Sequence, residues 1–572
     1  MTKVRLALVA LAVLTITAAS AGGAGAGRGE DQLSKINHIV VIYEENHSFD
    51  NLYGGWEGVN GPQNATASQL TQVDQNGVPY SCLMQLDLNL TSPVPLSTVC
   101  SGAVPNPLPA FGTTFNSHFV NGPFTIDDFI PSTAATCPRP LQGFSFTNGI
   151  RNGDPNGQPG GCTRDIVHKF YQEIYQLNNG AQNRYPTGSD AAGTVMGAYD
   201  TKLLPIYRYL HGNGAPHYAI ADDFFQAAFG GSFLNHQWLI AAATPVWPGG
   251  PAALHSILDS AGFNHNNYPL YKPLAGATYK DSDFTVTCDS PVIPKGACGD
   301  YAVNTMQPPY WPQGLFGDKL LYPQVNPTIG DRLSAKDISW AWYAGGWDNA
   351  VGNTNGLGWT NGSTPGTCGD PNHDPANSTY PRCPDNLFQY HHQPFNYFAN
   401  YAPGTPGRAH LLDEADFSAA AASSGKACNL KAVSFIKPVG EENEHPGYAS
   451  TPNGNDHLVE LLQSIENSAC AKDTMVIVTY DEFGGQWDHV TPPGQGLTGG
   501  VFDSFGPGTR IPALIVSPFL RGNFAVDHTP YDTTSILATI EQRWNLAPLS
   551  SRDARVNSLA DVFQAKQVEA GN

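Results

Sequence analysis

Apolar residues fall along this chain in short unbroken runs rather than in strict alternation. The first is His38-Ile39-Val40-Val41-Ile42-Tyr43, and others lie at 217–221, 432–436, 474–480 and 511–516. Continuous runs of this length fit strands covered on both faces, as in a parallel sheet. Between them the period changes. Leu458, Leu461, Leu462 and Ile465 recur at i, i+3, i+4 and i+7, which predicts a helix from His457 to Cys470 capped by Asn455 or Asp456. Leu203 to Leu210 and Thr533 to Trp544 read as two more, the latter with Ile536 and Ile540 on one face. This alternation predicts an α/β sandwich with a central, mainly parallel sheet and helices on both faces. No linker interrupts it, so one domain over 35–566 is expected, with loop-rich insertions at about 60–160, 245–335 and 350–410 roofing the site.

The start of the chain reads differently. Lys3 and Arg5 precede an apolar stretch, Leu6 to Ile16, too short to span a bilayer, and Ala19-Ser20-Ala21 offers a cleavage site. Residues 1–21 are therefore expected to be a secretory signal and 22–34 a flexible glycine-rich tether. No other segment approaches the ~18 apolar residues of a spanning helix. Ten cysteines without a CxxC unit suit an oxidising compartment. Adjacent pairing, Cys82/Cys100, Cys137/Cys162, Cys288/Cys298, Cys368/Cys383 and Cys428/Cys470, is the simplest connectivity. Export to a periplasm or the medium follows as an expectation. The net charge of −20 argues against nucleic acid as partner.

Chemistry gathers just past two of the apolar runs. Glu44-Glu45-Asn46-His47-Ser48-Phe49-Asp50 follows the first, and Asp481-Glu482-Phe483-Gly484-Gly485-Gln486-Trp487-Asp488-His489 follows the run at 474–480. In open parallel sheets, ligands bind beyond the carboxyl ends of the strands, where distant loops converge. Carboxylates and an Asn at two such ends form the oxygen-rich set a hard or borderline divalent cation takes. An isolated acid after a strand is more often a cap or a solvated turn, so it is the pairing of clusters that points to metal-assisted chemistry. Asn46-His47-Ser48 also matches a glycosylation sequon, which a buried site would leave unused.

These blocks resemble the bacterial phospholipase C/acid phosphatase superfamily. The first is similar to its E-N-R-S-F-D signature, with His47 where Arg is common. The second, through Asp488-His489-Val490 and Pro492-Pro493, resembles its D-E/D-x-G-G-x-x-D-H-V-x-P-P block. Further matches are Asp165-Ile166-Val167-His168, Gly230-Gly231-Ser232-Phe233-Leu234-Asn235-His236, Phe388-Gln389-Tyr390-His391-His392-Gln393-Pro394 and Glu444-His445-Pro446. The resemblance implies an alkaline-phosphatase-like fold and one divalent ion held by Glu45, Asn46, Ser232, Asp481 and Glu482, with Ser232 as nucleophile. It places His168, His391, His392, His445 and Asn235 around the phosphate. Imidazolium groups there would stabilise phosphate oxygens or protonate a leaving alkoxide, and an acid optimum would follow. Glu44, Asp50 and the Asp488–His489 pair are assigned to support, and His255, His265, His373 and His410 to ordinary packing or surface roles.

The sequence thus predicts an exported phosphoric ester hydrolase of acid phosphatase type, acting on a small phosphate ester through a phosphoserine. The Gly-Gly-Ser-x-x-Asn-His and His-His-Gln-Pro blocks look like the acid phosphatase branch, and His236 stands where the phospholipase branch has Arg. A phospholipase C working on phosphodiester headgroups is the alternative. A sulfatase is weaker, because Ser232 lacks a C/S-x-P-x-R setting. A non-catalytic binding protein remains as a third class, with Trp340-Ala341-Trp342-Tyr343 and Trp347 as a sugar platform unless they pack the core.

Overall fold

The computed structural model describes residues 26–84, 119–133, 163–249, 299–310, 320–359 and 388–568 apart from a few scattered positions, together with 104–105, 114–115 and 118. The expected signal segment, most of the insertions, and Cys100, Cys137, Cys162, Cys288, Cys298, Cys368 and Cys383 lie outside the described residues.

Nine strands make one mixed sheet. They are β1 (His38–Glu44), β2 (Tyr218–Ala221), β3 (Trp340–Ala344), β4 (Leu411–Asp413), β5 (Val433–Lys437), β6 (Thr474–Tyr480), β7 (Ala513–Val516), β8 (Phe524–Asp527) and β9 (Lys566–Gln567). Their spatial order is β4-β3-β5-β1-β6-β7-β2-β8-β9. The first five pair in parallel. β7 runs antiparallel to β6 and β2, β8 is parallel to β2, and β9 is antiparallel to β8. The expected parallel sheet is therefore present but carries two reversed strands.

The register that matters is β1 on β6, which runs from His38↔Thr474 to Glu44↔Tyr480. Both strands are buried along their length, as their unbroken apolar runs require. Because they end level, Glu45 and Asp481 leave the sheet side by side.

Helices cover both faces. Those used below are α1 (Ala26–Leu33), α2 (Phe170–Leu177), α3 (Pro205–His211), α4 (Ser232–Ala241), α5 (Ile329–Ser334), α6 (Glu414–Ala422), α7 (Thr451–Glu466) and α8 (Thr534–Trp544). Side chains alternate along a strand, and β3 shows which helices lie where. The Trp340 ring packs where a Cβ on Gly330 of α5 would collide with it, and the Trp342 ring lies 6.1 Å from His236 of α4. Tyr343 points the other way, 5.5 Å from Phe417 of α6. α4, α5 and α8 pack together on the first side, and α3, α6 and α7 on the second. Trp340, Trp342, Tyr343 and Trp347 are all buried, so the tryptophan run is a core strand and not an exposed sugar platform.

Some boundaries differ from expectation for local reasons. α7 starts at Thr451, because Ser450 caps it by accepting from the Asn453 N–H and Pro452 fits the first turn. Its predicted stripe, Leu458, Leu461, Leu462 and Ile465, is buried. The expected tether at 22–34 is helical over α1, which lies on the turn Leu559–Gln564; Gly29 permits this contact, since a Cβ there would come within 2.5 Å of the Ala560 carbonyl oxygen.

Cys428 and Cys470 form the expected disulfide, and Cys82 is also disulfide-bonded. The first bridge spans a separation of 42 residues and ties the approach to β5 to the segment before β6. Replacing both cysteines by Ser should lower unfolding free energy by about 2–4 kcal/mol, measured by denaturant titration.

Candidate active site

Ser232 opens α4 at the end of a Gly-Gly turn. Gly230 takes φ +89°, and a Cβ on it would sit 2.5 Å from the Phe170 backbone nitrogen, so only glycine fits. The α4 N-terminus then aims its first N–H groups outward beside the serine, a natural seat for an anion. Ser232 Oγ lies 3.2 Å from Glu45 Oε2, 3.2 Å from Asn46 Oδ1 and 3.4 Å from Glu482 Oε1. Asp481 is tied to the same group, its Oδ1 accepting from the Asn46 N–H at 3.1 Å and the Glu482 N–H at 2.8 Å. Glu45, Asn46, Asp481 and Glu482 are fully buried and Ser232 is 5% exposed. The five residues picked from two distant loops and a turn thus meet at one point.

Asn46 holds its pose through two imidazoles. His445 Nδ1 donates to the Pro446 carbonyl at 2.6 Å and His168 Nδ1 to the Ile166 carbonyl at 2.5 Å. Each ring turns its Nε2 toward Asn46 Nδ2, at 2.8 Å (His445) and 3.4 Å (His168). The amide NH2 faces the histidines, which turns Oδ1 toward Ser232. Asn46 itself is in the left-handed region (φ +59°), and Gly484 makes room for its carbonyl.

Charge balance at the centre is uneven. Lys437, the last residue of β5, is buried with Nζ 2.5 Å from Glu45 Oε1, and His392 Nε2 lies 2.8 Å from the same oxygen. Burial works to raise Glu45, but Lys437 and His392 outweigh it and hold its carboxyl well below the usual range. Asp481 and Glu482 move the other way: burial first, then Glu45 beside Asp481 and Asp481 beside Glu482, push both well above it. Asp481 Oδ2 has no hydrogen-bond partner among the described residues. Three buried carboxylates against one ammonium leave a surplus of negative charge, with amide and hydroxyl oxygens in reach. That donor set fits one divalent cation held by Glu45, Asn46, Ser232, Asp481 and Glu482.

The remaining histidines line the same volume. His236 Nδ1 donates to the Ser232 carbonyl at 2.7 Å, leaving Nε2 without a hydrogen-bond partner among the described residues. It stacks on His392 at 5.3 Å and meets His391 edge-on at 5.8 Å. One ligand atom each from Glu45, His236 and His392 lie within 4.8 Å of one another. Burial draws His236, His391 and His445 below their ordinary value and takes His392 to about 4. Burial in the free protein thus works against the charged imidazoliums expected from the sequence.

Two expectations change. Asn235, expected to donate to a phosphate oxygen, spends its amide on the turn: Nδ2 faces the carbonyls of Ala228, Gly230 and Gly231 at 3.1–3.3 Å, and Oδ1 accepts from the Ala228 N–H at 2.9 Å. It shapes the seat of Ser232. Lys437 and His236 were missing from the predicted ligand sphere. A lysine closing a β run reads as solvent-directed, and only its place one step past the Ile42↔Ile436 pair, from which Nζ reaches Glu45, reveals its task.

Two buried networks brace the centre. Gln226 Nε2 donates to Glu173 on α2 and to the carbonyls of Ala228 and Gly230, while its Oε1 accepts from the Phe483 N–H. One amide therefore joins the serine turn to the Asp481–Glu482 loop. Arg510 does the same for the two acidic loops, bonding Asp50 at 2.8 Å, Asp488 at 3.1 Å and the carbonyls of Asn60 and Asp222. His489 Nδ1 lies 2.6 Å from Asp50. Asp50, Asp488 and His489 are thus parts of a clamp. His410 stacks flat on Trp340 at 4.3 Å, a packing role.

Comparison with known proteins agrees with this geometry: residues 36–547 match the Phosphoesterase family. The chain belongs to that family. It is 31% identical over 163 residues to phospholipase C A of Mycobacterium tuberculosis, covering 25% of this chain and 31% of that protein. It is 30% identical over 145 residues to non-specific phospholipase C6 of Arabidopsis thaliana, covering 22% and 28%. With non-hemolytic phospholipase C of Burkholderia pseudomallei it shares 29% over 181 residues, covering 26% and 25%. The chain thus spans under a third of the length of the curated relatives it matches. A phosphonate monoester hydrolase from Silicibacter pomeroyi aligns at a TM-score of 0.15 and 17% identity over 22% of this chain and 23% of that one, too little to weigh.

The bracing by Gln226 gives a test within this phosphoesterase. Gln226→Ala should cut kcat about 10–100-fold while KM stays within about threefold, because loosening the turn that seats Ser232 misaligns the centre without removing a substrate contact. Steady-state kinetics on a soluble phosphate ester, beside circular dichroism showing a retained fold, measures this.

Proposed function

We propose that this protein is a metal-dependent phosphoric ester hydrolase that works through a phosphoserine on Ser232, with phosphomonoesters as its substrates. The observation that carries the reading is the meeting of Ser232 Oγ with Glu45, Asn46 and Glu482 within 3.2–3.4 Å in a fully buried acidic pocket. A divalent ion bound there would supply Lewis-acid stabilisation of the serine oxygen and of the charge growing on phosphate.

The chain's own residues account for the rest. Ser232 Oγ forms a bond to phosphorus while the bond to the leaving oxygen breaks, giving a phosphoserine and an alcohol. The hydroxyl proton has nearby acceptors in Glu45 and Glu482. The α4 N-terminus faces the phosphoryl oxygens with unpaired N–H groups. His168 and His445 turn their Nε2 atoms to the same volume, beside Asn46. Water then attacks the phosphoserine, releases inorganic phosphate and restores the hydroxyl.

Monoesters are favoured by enclosure. His391, His392 and His445 are 8%, 1% and 7% exposed, and His392 and His445 close in on the Glu45–Asn46 loop beside the serine. The second reading is a phospholipase C, favoured by the names of the relatives above. Export belongs to the same proposal and is supported by the bonded cysteines. Among the described residues no helix is long and apolar enough to cross a membrane.

Ser232→Ala should lose ~10³-fold or more in kcat on p-nitrophenyl phosphate with its fold intact. Full activity in that variant defeats the nucleophile assignment. Chelation with EDTA should abolish turnover, and a divalent ion should restore it. A kcat/KM higher for p-nitrophenylphosphorylcholine than for p-nitrophenyl phosphate would favour the phospholipase reading.

A further inference from the structure

β1 ends in two consecutive glutamates that part company across the sheet. Glu45 turns to Ser232; Glu44, the last residue of the strand, lies on the other face, away from Tyr43 and α4. There it meets a second acidic cluster that the proposed hydrolysis does not use. His457 on α7 has Nε2 2.6 Å from Glu414 Oε1, at the start of α6, and 3.7 Å from Glu442 Oε2, on the loop after β5. Glu414, Glu442 and His457 each offer one ligand atom within 4.8 Å of the others. Glu444 joins from the same loop, its Oε1 accepting from the Tyr480 hydroxyl at 2.9 Å.

The independent sign of a missing partner is Glu44 itself. Its carboxylate is fully buried, and neither oxygen has a hydrogen-bond partner among the described residues. It lies close enough to His457 and Glu414 to interact with their charges. Glu444 Oε2 is likewise buried and unpartnered among the described residues. Glu444 is held in the left-handed region (φ +69°), and Gly454 of α7 leaves the space its side chain needs, since a Cβ there would come 2.3 Å from Glu444 Cγ. Two carboxylates thus meet one imidazole, with Glu44 and Glu444 buried behind them. The nearby ammonium of Lys437 is directed at Glu45 and at the backbone carbonyls of Tyr43 and Glu44. Burying that much negative charge without a cation is costly, and the backbone is shaped to bring it together.

We propose that Glu414, Glu442 and His457 form a second divalent-cation site, with the unpartnered Glu44 carboxylate buried beside it, on the face of the sheet opposite Ser232, suited to a borderline ion such as Zn2+ or Mn2+. Carboxylates with one imidazole are the donor mix such ions take, whereas Ca2+ and Mg2+ favour all-oxygen shells. Glu442, 35% exposed at its side chain, marks the entry side. The ion would offset the charge of Glu44 and so steady the end of β1 from which Glu45 and Asn46 project.

The test counts ions on the full-length protein by plasma mass spectrometry after loading with Zn2+ or Mn2+ and gel filtration. Glu442→Gln and His457→Gln should each lose one equivalent that Glu482→Gln retains, and Glu482→Gln should lose only the ion at Ser232. Glu442→Gln alters a partly exposed residue, so it serves if His457→Gln does not fold. An ion count unchanged in both 442 and 457 variants overturns the proposal and leaves His457 as a protonated partner of Glu414. A chain that binds a single ion, lost with His457→Gln but kept in Glu482→Gln, supports this site while overturning the ion at Ser232.

Discussion

Electrostatic surplus at the rim of the sheet is the constraint on which the molecule is organised. Glu45, Asp481 and Glu482 are fully buried around one hydroxyl, and among the described residues Lys437 is the one permanent cation in contact with them. Such a grouping is unstable on its own. It persists because β1 and β6 end level, so that the Glu45 and Asp481 backbones are fixed by ladder pairing before their side chains are considered. The negative field that makes the pocket costly to build is also what equips it to hold a cation.

Rigidity around that field comes from uncharged and paired groups that never reach the serine oxygen. Gln226 couples the turn of Ser232 to Phe483, Asn235 fastens the same turn from inside α4, and Arg510 joins Asp50 to Asp488. Each removes a degree of freedom from one of three segments far apart in sequence. A pocket assembled from such distant pieces needs connections of this kind, because local secondary structure alone would leave their relative positions loose.

The strands and the core of the site were legible in the sequence for a physical reason. Runs such as Ile39 to Ile42 and Met475 to Val478 are too apolar to be anything but doubly covered strands, and acids following them are confined to a sheet edge. β3 was not legible as a strand, because Trp340 and Trp342 flanking small Ala341 suit core packing or a pocket wall without fixing the element; burial between α5 and α6 decides it. Nor was α1, whose glycines suit a tether until Ala560 is brought against Gly29. Lys437 and His236 escaped for a related reason. Their roles depend on which strands are neighbours, and spatial order is not written in chain order. Asn235 was misread because a side-chain amide satisfied by its own turn looks, in one dimension, like one turned outward.

The reversed strand β7 has a consequence of its own. In a sheet of co-directional strands, only departing segments visit the edge where they finish, and each return journey must cross a face. A strand laid the opposite way begins at that edge. Its incoming residues, Thr509 and Arg510, are delivered there directly, between the outgoing ends of β6 and β2, where Thr509 meets Glu173 and Arg510 meets Asp488. Inverting one strand thus gives the catalytic rim an inbound segment as well as outbound ones, and the keystone guanidinium arrives on it.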